Sequence, residues 1–161
     1  MSIKLLLTGG TIDKHYNQSN GELYFVNSHL PEILKIGRNQ AEINIEQLML
    51  IDSLDMNDAD REVINEACKK ASQERILITH GTDTMVETAD YLAKNKLRKT
   101  IVLVGAMIPY VFKGTDAVFN IGFALAAVQI LSPGVYITMN GKVFEWDKVN
   151  KNRKIGVFED L

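Results

Sequence analysis

Short apolar runs alternate with amphipathic segments along almost the whole chain, and this alternation restricts the fold more than any other feature. Ile3 to Leu7 is an apolar run stopped by Gly9-Gly10, the pattern of a buried strand. Glu42 to Asp52, Arg75 to Thr79, Thr100 to Val104 and Gly134 to Met139 read as further strands. Between them, Leu30 to Ile36, Asp58 to Gln73, Thr84 to about Asn95 and Asp116 to Ile130 read as helices. Pro31 suits the first turn of the first of these. In the second, Val63, Ile64, Ala67, Cys68 and Ala71 share one face, with Asp58 as N-cap and Lys69-Lys70 where the dipole favours cations. Thr84-Met85-Val86-Glu87 has the form of a capping box. Asp13 to Gly21 is polar and reads as a loop, while Val143 to Phe158 fits no single period. Strands separated by helices are βαβ units. The expected fold class is therefore α/β, a mainly parallel sheet with helices on both faces, a flavodoxin-like three-layer sandwich.

Composition narrows the function classes. The 161 residues favour one domain, 1–161, and a net charge of −2 gives no basic footprint for nucleic acid. One cysteine excludes an internal disulfide framework, and His15, His29 and His80 lack metal-ligand spacing, so no metal is expected. The apolar stretch Ala117 to Leu131 is shorter than the ~20 residues a membrane span needs and is interrupted by Asn120, Gly122 and Gln129. It reads as a core helix, and no membrane partner is expected. The apolar run near the N-terminus is too short for a signal segment, which makes a cytoplasmic location the expectation.

In an open parallel sheet, ligands bind beyond the carboxyl ends of the strands. Those ends are Thr8-Gly9-Gly10-Thr11, Asp52-Ser53-Leu54-Asp55, Thr79-His80-Gly81-Thr82-Asp83-Thr84 and Gly105-Ala106-Met107. Hydroxyls stand beside Gly or Asp in three of the four. Small residues let a ligand approach the backbone and expose its amides as donors. Neither G-x-x-x-x-G-K-[ST] nor G-x-G-x-x-G occurs, which argues against nucleotide binding.

Thr8-Gly9-Gly10-Thr11-Ile12 and His80-Gly81-Thr82-Asp83-Thr84-Met85 resemble the two signatures of the bacterial-type L-asparaginase (asparaginase/glutaminase) family. Asp52-Ser53-Leu54-Asp55-Met56-Asn57-Asp58, Val104-Gly105-Ala106-Met107, Asp116 with Phe119-Asn120, and Met139-Asn140 with Lys151 continue the likeness in the family's order. The resemblance implies hydrolysis of asparagine to aspartate and ammonia through a threonine nucleophile, without cofactor. That chemistry needs a nucleophile, a base and oxyanion donors. By resemblance, Thr11 is the nucleophile and Tyr24 its partner on the following loop, with Tyr16 the alternative. Thr82 is the second catalytic threonine, grouped with Asp83 and Lys151, and Lys148 is the alternative lysine. Asp83 is expected to bind the substrate's α-ammonium and Ser53 its α-carboxylate. Backbone around Gly10, Thr11, Thr82 and Ala106 is expected to hold the reacting amide.

Local patterns alone read differently. Thr82, Asp83 and Thr84 serve equally as helix caps, and Lys148, Lys151, Arg153 and Lys154 as a solvated basic stretch. His80 and Cys68 read as buried structural residues, and Met85, Met107, Phe119 and Phe123 as packing. The competing reading of the whole is a non-catalytic asparaginase-like domain that binds aspartate, asparagine or a partner subunit.

The likeness covers the family's N-terminal domain, and the usual C-terminal domain is expected to be absent. Ile108 stands where the family usually has Arg, and Asp13-Lys14 where many members have small residues. A lone domain needs another way to complete its pocket, so a homo-oligomer, a dimer or higher, is expected. Ile108, Tyr110, Val111 and Phe112 are the interface candidates.

Overall fold

A computed structural model describes residues 1–161. Its central sheet has six strands in the order β4 (Glu42–Ile51), β1 (Ser2–Gly9), β5 (Arg75–Thr79), β6 (Thr100–Val104), β7 (Gly134–Met139) and β8 (Lys142–Glu145). The first five strands run parallel and β8 is antiparallel to β7. Helices α1 (Leu30–Ile36) and α4 (Ala117–Ile130) cover one face, and α2 (Asp58–Lys70) and α3 (Met85–Lys94) the other. The three-layer α/β class read from the alternation is the observed one. No helix is long and apolar enough to cross a membrane.

The central strands are apolar without a break because successive residues enter two different cores. Ile3, Leu5 and Leu7 of β1, Leu77 of β5, and Val102 and Val104 of β6 face α1 and α4. Leu6, Ile76, Ile78, Ile101 and Leu103 face α2 and α3. At the edge, β4 carries Glu42, Asn44, Glu46 and Gln47, polar residues that discourage further strand pairing. Lys4 reaches across to Asn44 at 2.7 Å and Glu46 at 2.6 Å.

Several local expectations are corrected. Asn57, not Asp58, caps α2, and it forms a reciprocal capping box with Asp60. Thr84 sits at the N-cap of α3 but makes no capping bond, because its hydroxyl donates to the Ser53 carbonyl instead. Phe119 is 62% exposed rather than packed in the core. The chain after β7 turns back through Asn140 and Gly141, both at positive φ, the geometry of a tight hairpin. It then forms a separate antiparallel ribbon of β9 (Val149–Asn152) and β10 (Val157–Asp160).

The polar segment read as a loop is also ordered. A 3-10 turn at Thr11–Asp13 leads into β2 (Lys14–Tyr16), which pairs with β3 (Leu23–Phe25) as a short hairpin. Asp13 is fully buried at the base of this hairpin. Its Oδ1 accepts from the Ser28 hydroxyl (2.8 Å) and the His29 amide (2.9 Å), while Oδ2 has no partner. Desolvation outweighs these bonds and pushes its carboxyl up to about 6.

Gly10 precedes the 3-10 turn with φ 83° and ψ −179°, a region essentially restricted to glycine. A Cβ there would also lie 2.6 Å from the Gly81 Cα. Gly10→Ala is expected to cost more than about 2 kcal/mol of stability, measured by urea unfolding. For Asp13, the folded carboxyl holds its proton more tightly than the unfolded one at 3.8, so burial of its charge opposes folding above pH ~6. Asp13→Asn keeps the Oδ1 acceptor without that charge. Its stability relative to wild type is expected to fall by about 2 kcal/mol on acidification from pH 7 to pH 4, in urea titrations across that range.

Candidate active site

Four chain segments leave the carboxyl edge of the sheet side by side, and glycine lets them touch. Gly9 abuts the Ile51 backbone, Gly10 the Gly81 backbone, Gly81 the Ser53 side chain, and Gly105 the His80 carbonyl. Thr11 and Thr82 therefore each follow one of two glycines in direct contact. Ala106 leaves the neighbouring strand end, where Gly105 also meets the Thr82 methyl.

Lys151, from β9, organises the group around Thr82. Its Nζ donates to Thr82 Oγ1 at 2.8 Å and to Asp83 Oδ1 at 2.6 Å. The Lys151 side chain is only 8% exposed, and Arg153 donates to the Asp83 carbonyl at 3.0 Å. Lys148 instead pairs with Glu145 in solvent, which removes it as the alternative lysine. Arg153 is exposed, as a solvated stretch would have it, yet its guanidinium also reaches the site through the Asp83 carbonyl.

The Thr11 hydroxyl is half-buried and has no hydrogen-bond partner in the protein. The Thr82 and Ala106 amides donate to no backbone carbonyl, and both residues are nearly buried. Ser53 is buried beneath Gly81, and its Oγ lies 3.4 Å from the Thr84 amide. The structure thus gathers Gly10, Thr11, Ser53, Thr82, Asp83, Ala106 and Lys151 along one edge.

Tyr24 stands apart from this group. It is 44% exposed on β3, with its ring 5.9 Å from His15, and its hydroxyl is unpartnered. Tyr16 packs on Phe112 at 5.5 Å. The hairpin carrying both tyrosines is tied down by an ion pair between Lys14 and Asp52, the residue before Ser53. Desolvation raises the Asp52 carboxyl, but Lys14, the Leu54 amide and the charge of Lys151 outweigh it and hold it below its ordinary value.

Sequence reasoning assigned no role to the network that places Ala106. Asp116 accepts from the Met107 and Ile108 amides at 3.0 Å. Asn120 donates to the Gly105 carbonyl at 3.0 Å and accepts from the Asn140 amide at 3.0 Å. Asp116, Asn120 and Asn140 were all present in the family-like motifs, so the signal was there without a geometry to explain it. Among the interface candidates, Tyr110 packs inward beside His29 and Phe112 against Tyr16, which leaves Ile108 and Val111 exposed.

The largest cavity, about 730 Å3, opens on the α3 side, lined in part by Arg61, Asp83, Glu87, Trp146, Lys151 and Arg153. It includes neither Thr11, Ser53 nor Thr82.

Residues 2–157 match the family model for the asparaginase N-terminal domain. A probable periplasmic L-asparaginase of Haemophilus influenzae is 36% identical, over 97% of this chain and 48% of that protein. The thermostable L-asparaginase from Thermococcus kodakarensis superposes with a TM-score of 0.88 at 27% identity, covering 100% of this chain and 51% of that one. A probable cytoplasmic L-asparaginase from Campylobacter jejuni gives 0.83 at 30% identity, covering 98% and 52%. The chain thus spans about half the length of the relatives it matches. With its signature motifs assembled on one sheet edge and its match running almost end to end, this chain belongs to the asparaginase family, along that family's N-terminal domain.

Proposed function

We propose that the protein is an L-asparaginase-type amidohydrolase, which converts asparagine to aspartate and ammonia. The observation that carries this reading is the bridge from Lys151 Nζ to both Thr82 Oγ1 and Asp83 Oδ1. A threonine hydroxyl needs a neighbouring base to attack an amide carbon; the nearly buried Lys151 contacts Thr82, the second threonine of the site, and serves as a base there once it has lost its proton. Thr11 is the nucleophile of this reading. Its hydroxyl has no competing partner, and its chain segment abuts that of Thr82 through the Gly10–Gly81 contact. Attack forms an ester to Thr11 and releases ammonia, and water then hydrolyses the ester to the second carboxylate.

The free amides of Thr82 and Ala106 are the donors for the tetrahedral oxyanion. Asp83 and Ser53 take the substrate's α-ammonium and α-carboxylate. Tyr24 completes the group when the β2–β3 hairpin shifts over the edge and excludes water.

A second copy of the chain is part of the proposal. The outer face of α4 carries exposed Val118, Phe119 and Ile130, and the helix has no charged residue. Such a face on a surface helix marks an association site, and Ile108 and Val111 extend the exposed apolar surface beyond β6. Small-angle scattering at micromolar concentration is expected to give the mass of a dimer or larger. A monomer mass would remove this part of the reading.

The activity is tested by ammonia release from asparagine. Thr11→Ala, Thr82→Ala and Lys151→Met are each expected to lower kcat by at least ~100-fold with unchanged circular dichroism. Full turnover in any of the three would overturn the role given to that residue.

A further inference from the structure

His80 immediately precedes Gly81 and is completely buried, with both ring nitrogens engaged. Nδ1 lies 2.7 Å from the Gly81 carbonyl and Nε2 lies 2.8 Å from Thr88 Oγ1. A carbonyl only accepts, so Nδ1 carries the proton and Nε2 is the acceptor. The opposite tautomer would set two lone pairs against each other at 2.7 Å. Thr88 then donates its proton to Nε2 and itself accepts from Arg61 Nε at 3.1 Å. Arg61 is fixed in turn by Asp58 at 2.9 Å. Donation therefore runs in one direction, from Arg61 through Thr88 and His80 to the Gly81 carbonyl. The Met56 sulfur, 3.1 Å from Nε2 and 3.6 Å from Thr88 Oγ1, donates nothing and is only a weaker, more distant acceptor for the Thr88 proton than Nε2 at 2.8 Å.

The end of this chain is the peptide that joins Gly81 to Thr82. No peptide in the protein is cis, so the carbonyl and amide of that unit point in opposite directions. With the carbonyl drawn inward to His80, the Thr82 N–H is turned outward, and it donates to no backbone carbonyl. A hydrogen bond to a peptide carbonyl polarises the unit and strengthens its N–H as a donor. We propose that His80 is a positioning residue, which aims and polarises the Thr82 amide for the oxyanion by donating to the Gly81 carbonyl, with Thr88 fixing its tautomer. The purpose given to that amide rests on the amidohydrolase reading. Burial also lowers the imidazole to about 4, so the ring stays neutral and Nε2 remains an acceptor throughout the neutral range. Neither His80 nor Thr88 touches substrate in this scheme.

The test uses Thr88→Val and Thr88→Ser, with His80→Asn and His80→Gln as a second pair. Valine keeps the volume of threonine but loses the proton that fixes the ring, and serine restores it. Asparagine places an amide N–H near the position of Nδ1 and keeps the donor to Gly81, whereas glutamine reaches toward Thr88 and loses it. Thr88→Val and His80→Gln are expected to lower kcat for ammonia release at least 10-fold with KM within threefold of wild type. Thr88→Ser and His80→Asn are expected to stay within threefold in both.

The Thr82 amide proton, followed by 1H–15N correlation spectra, reports independently of turnover. It is expected to shift upfield in Thr88→Val and His80→Gln but not in their partners. Folded Thr88→Val with wild-type kcat and an unmoved Thr82 resonance would overturn the proposal. If the wild type released no ammonia while the resonance followed this pattern, the positioning of Thr82 would stand and the amidohydrolase reading would fail.

Discussion

The contact of Gly10 with Gly81 is the constraint on which the rest of the site depends. Within a sheet, neighbouring strands are held about 4.8 Å apart by their ladder, but beyond the strand ends nothing enforces that spacing. A side chain on Gly10 would drive these two segments apart, since its Cβ already meets the Gly81 backbone, and one on Gly81 would displace Ser53. Gly9 and Gly105 extend the same device to the ends of β4 and β5. The residues that follow, Thr11, Thr82 and Ala106, are thereby held close together on a floor made of backbone. That floor supplies amide donors without the entropy cost of fixing long side chains. Its rigidity is reinforced from below by Asp116, Asn120 and His80, each of which fixes a peptide group rather than a substrate contact.

The parts of this architecture that were legible in the sequence are those where local pattern and tertiary context agree. Strands β5, β6 and β7 are buried on both faces, so their apolar runs and their Gly or Thr boundaries match the observed ends. The edge positions of Thr11, Ser53, Thr82 and Ala106 follow once those strands are placed in parallel. The β2–β3 hairpin was missed because its strands are three residues long and mostly exposed, leaving no alternation to read. The β7–β8 turn carries a local signal in Asn140-Gly141, both at positive φ, but β8 beyond it is only four residues long and offers little alternation to mark a strand. Thr84 fits a capping box by spacing, yet the Ser53 carbonyl competes for its hydroxyl, and no local pattern reports a partner 31 residues away.

The floor and the hairpin differ in how they are held. Floor residues are buried, and their polar groups bond to backbone. The hairpin rests on the Lys14–Asp52 ion pair, the packing of Tyr16 on Phe112, and the stack of His15 against His29 with ring centroids 4.2 Å apart. The ion pair is part-buried, with side chains 18% and 30% exposed, and His29 is buried, so these ties join the hairpin to the body of the protein through side chains rather than through a sheet ladder. Asp13 closes the base of the hairpin, because its buried carboxyl joins the chain just before β2 to Ser28 and His29 just after β3. Thr11, two residues earlier, thus lies on the body side of that closure.

Lys151 enters from outside the main sheet, on a ribbon that packs across α3. An ammonium with 8% exposure is an expensive way to attach such a ribbon. Desolvating a charge costs several kcal/mol, and its attraction to a carboxylate often does no more than offset that cost. Apolar residues would hold β9 against α3 at least as well, and Val149 and Phe158 already do so within the same core. Stability therefore does not account for a charged residue at this position. Its placement is explained by what Nζ touches: the Thr82 hydroxyl, to which it donates, and the Asp83 carboxylate, which fixes its orientation.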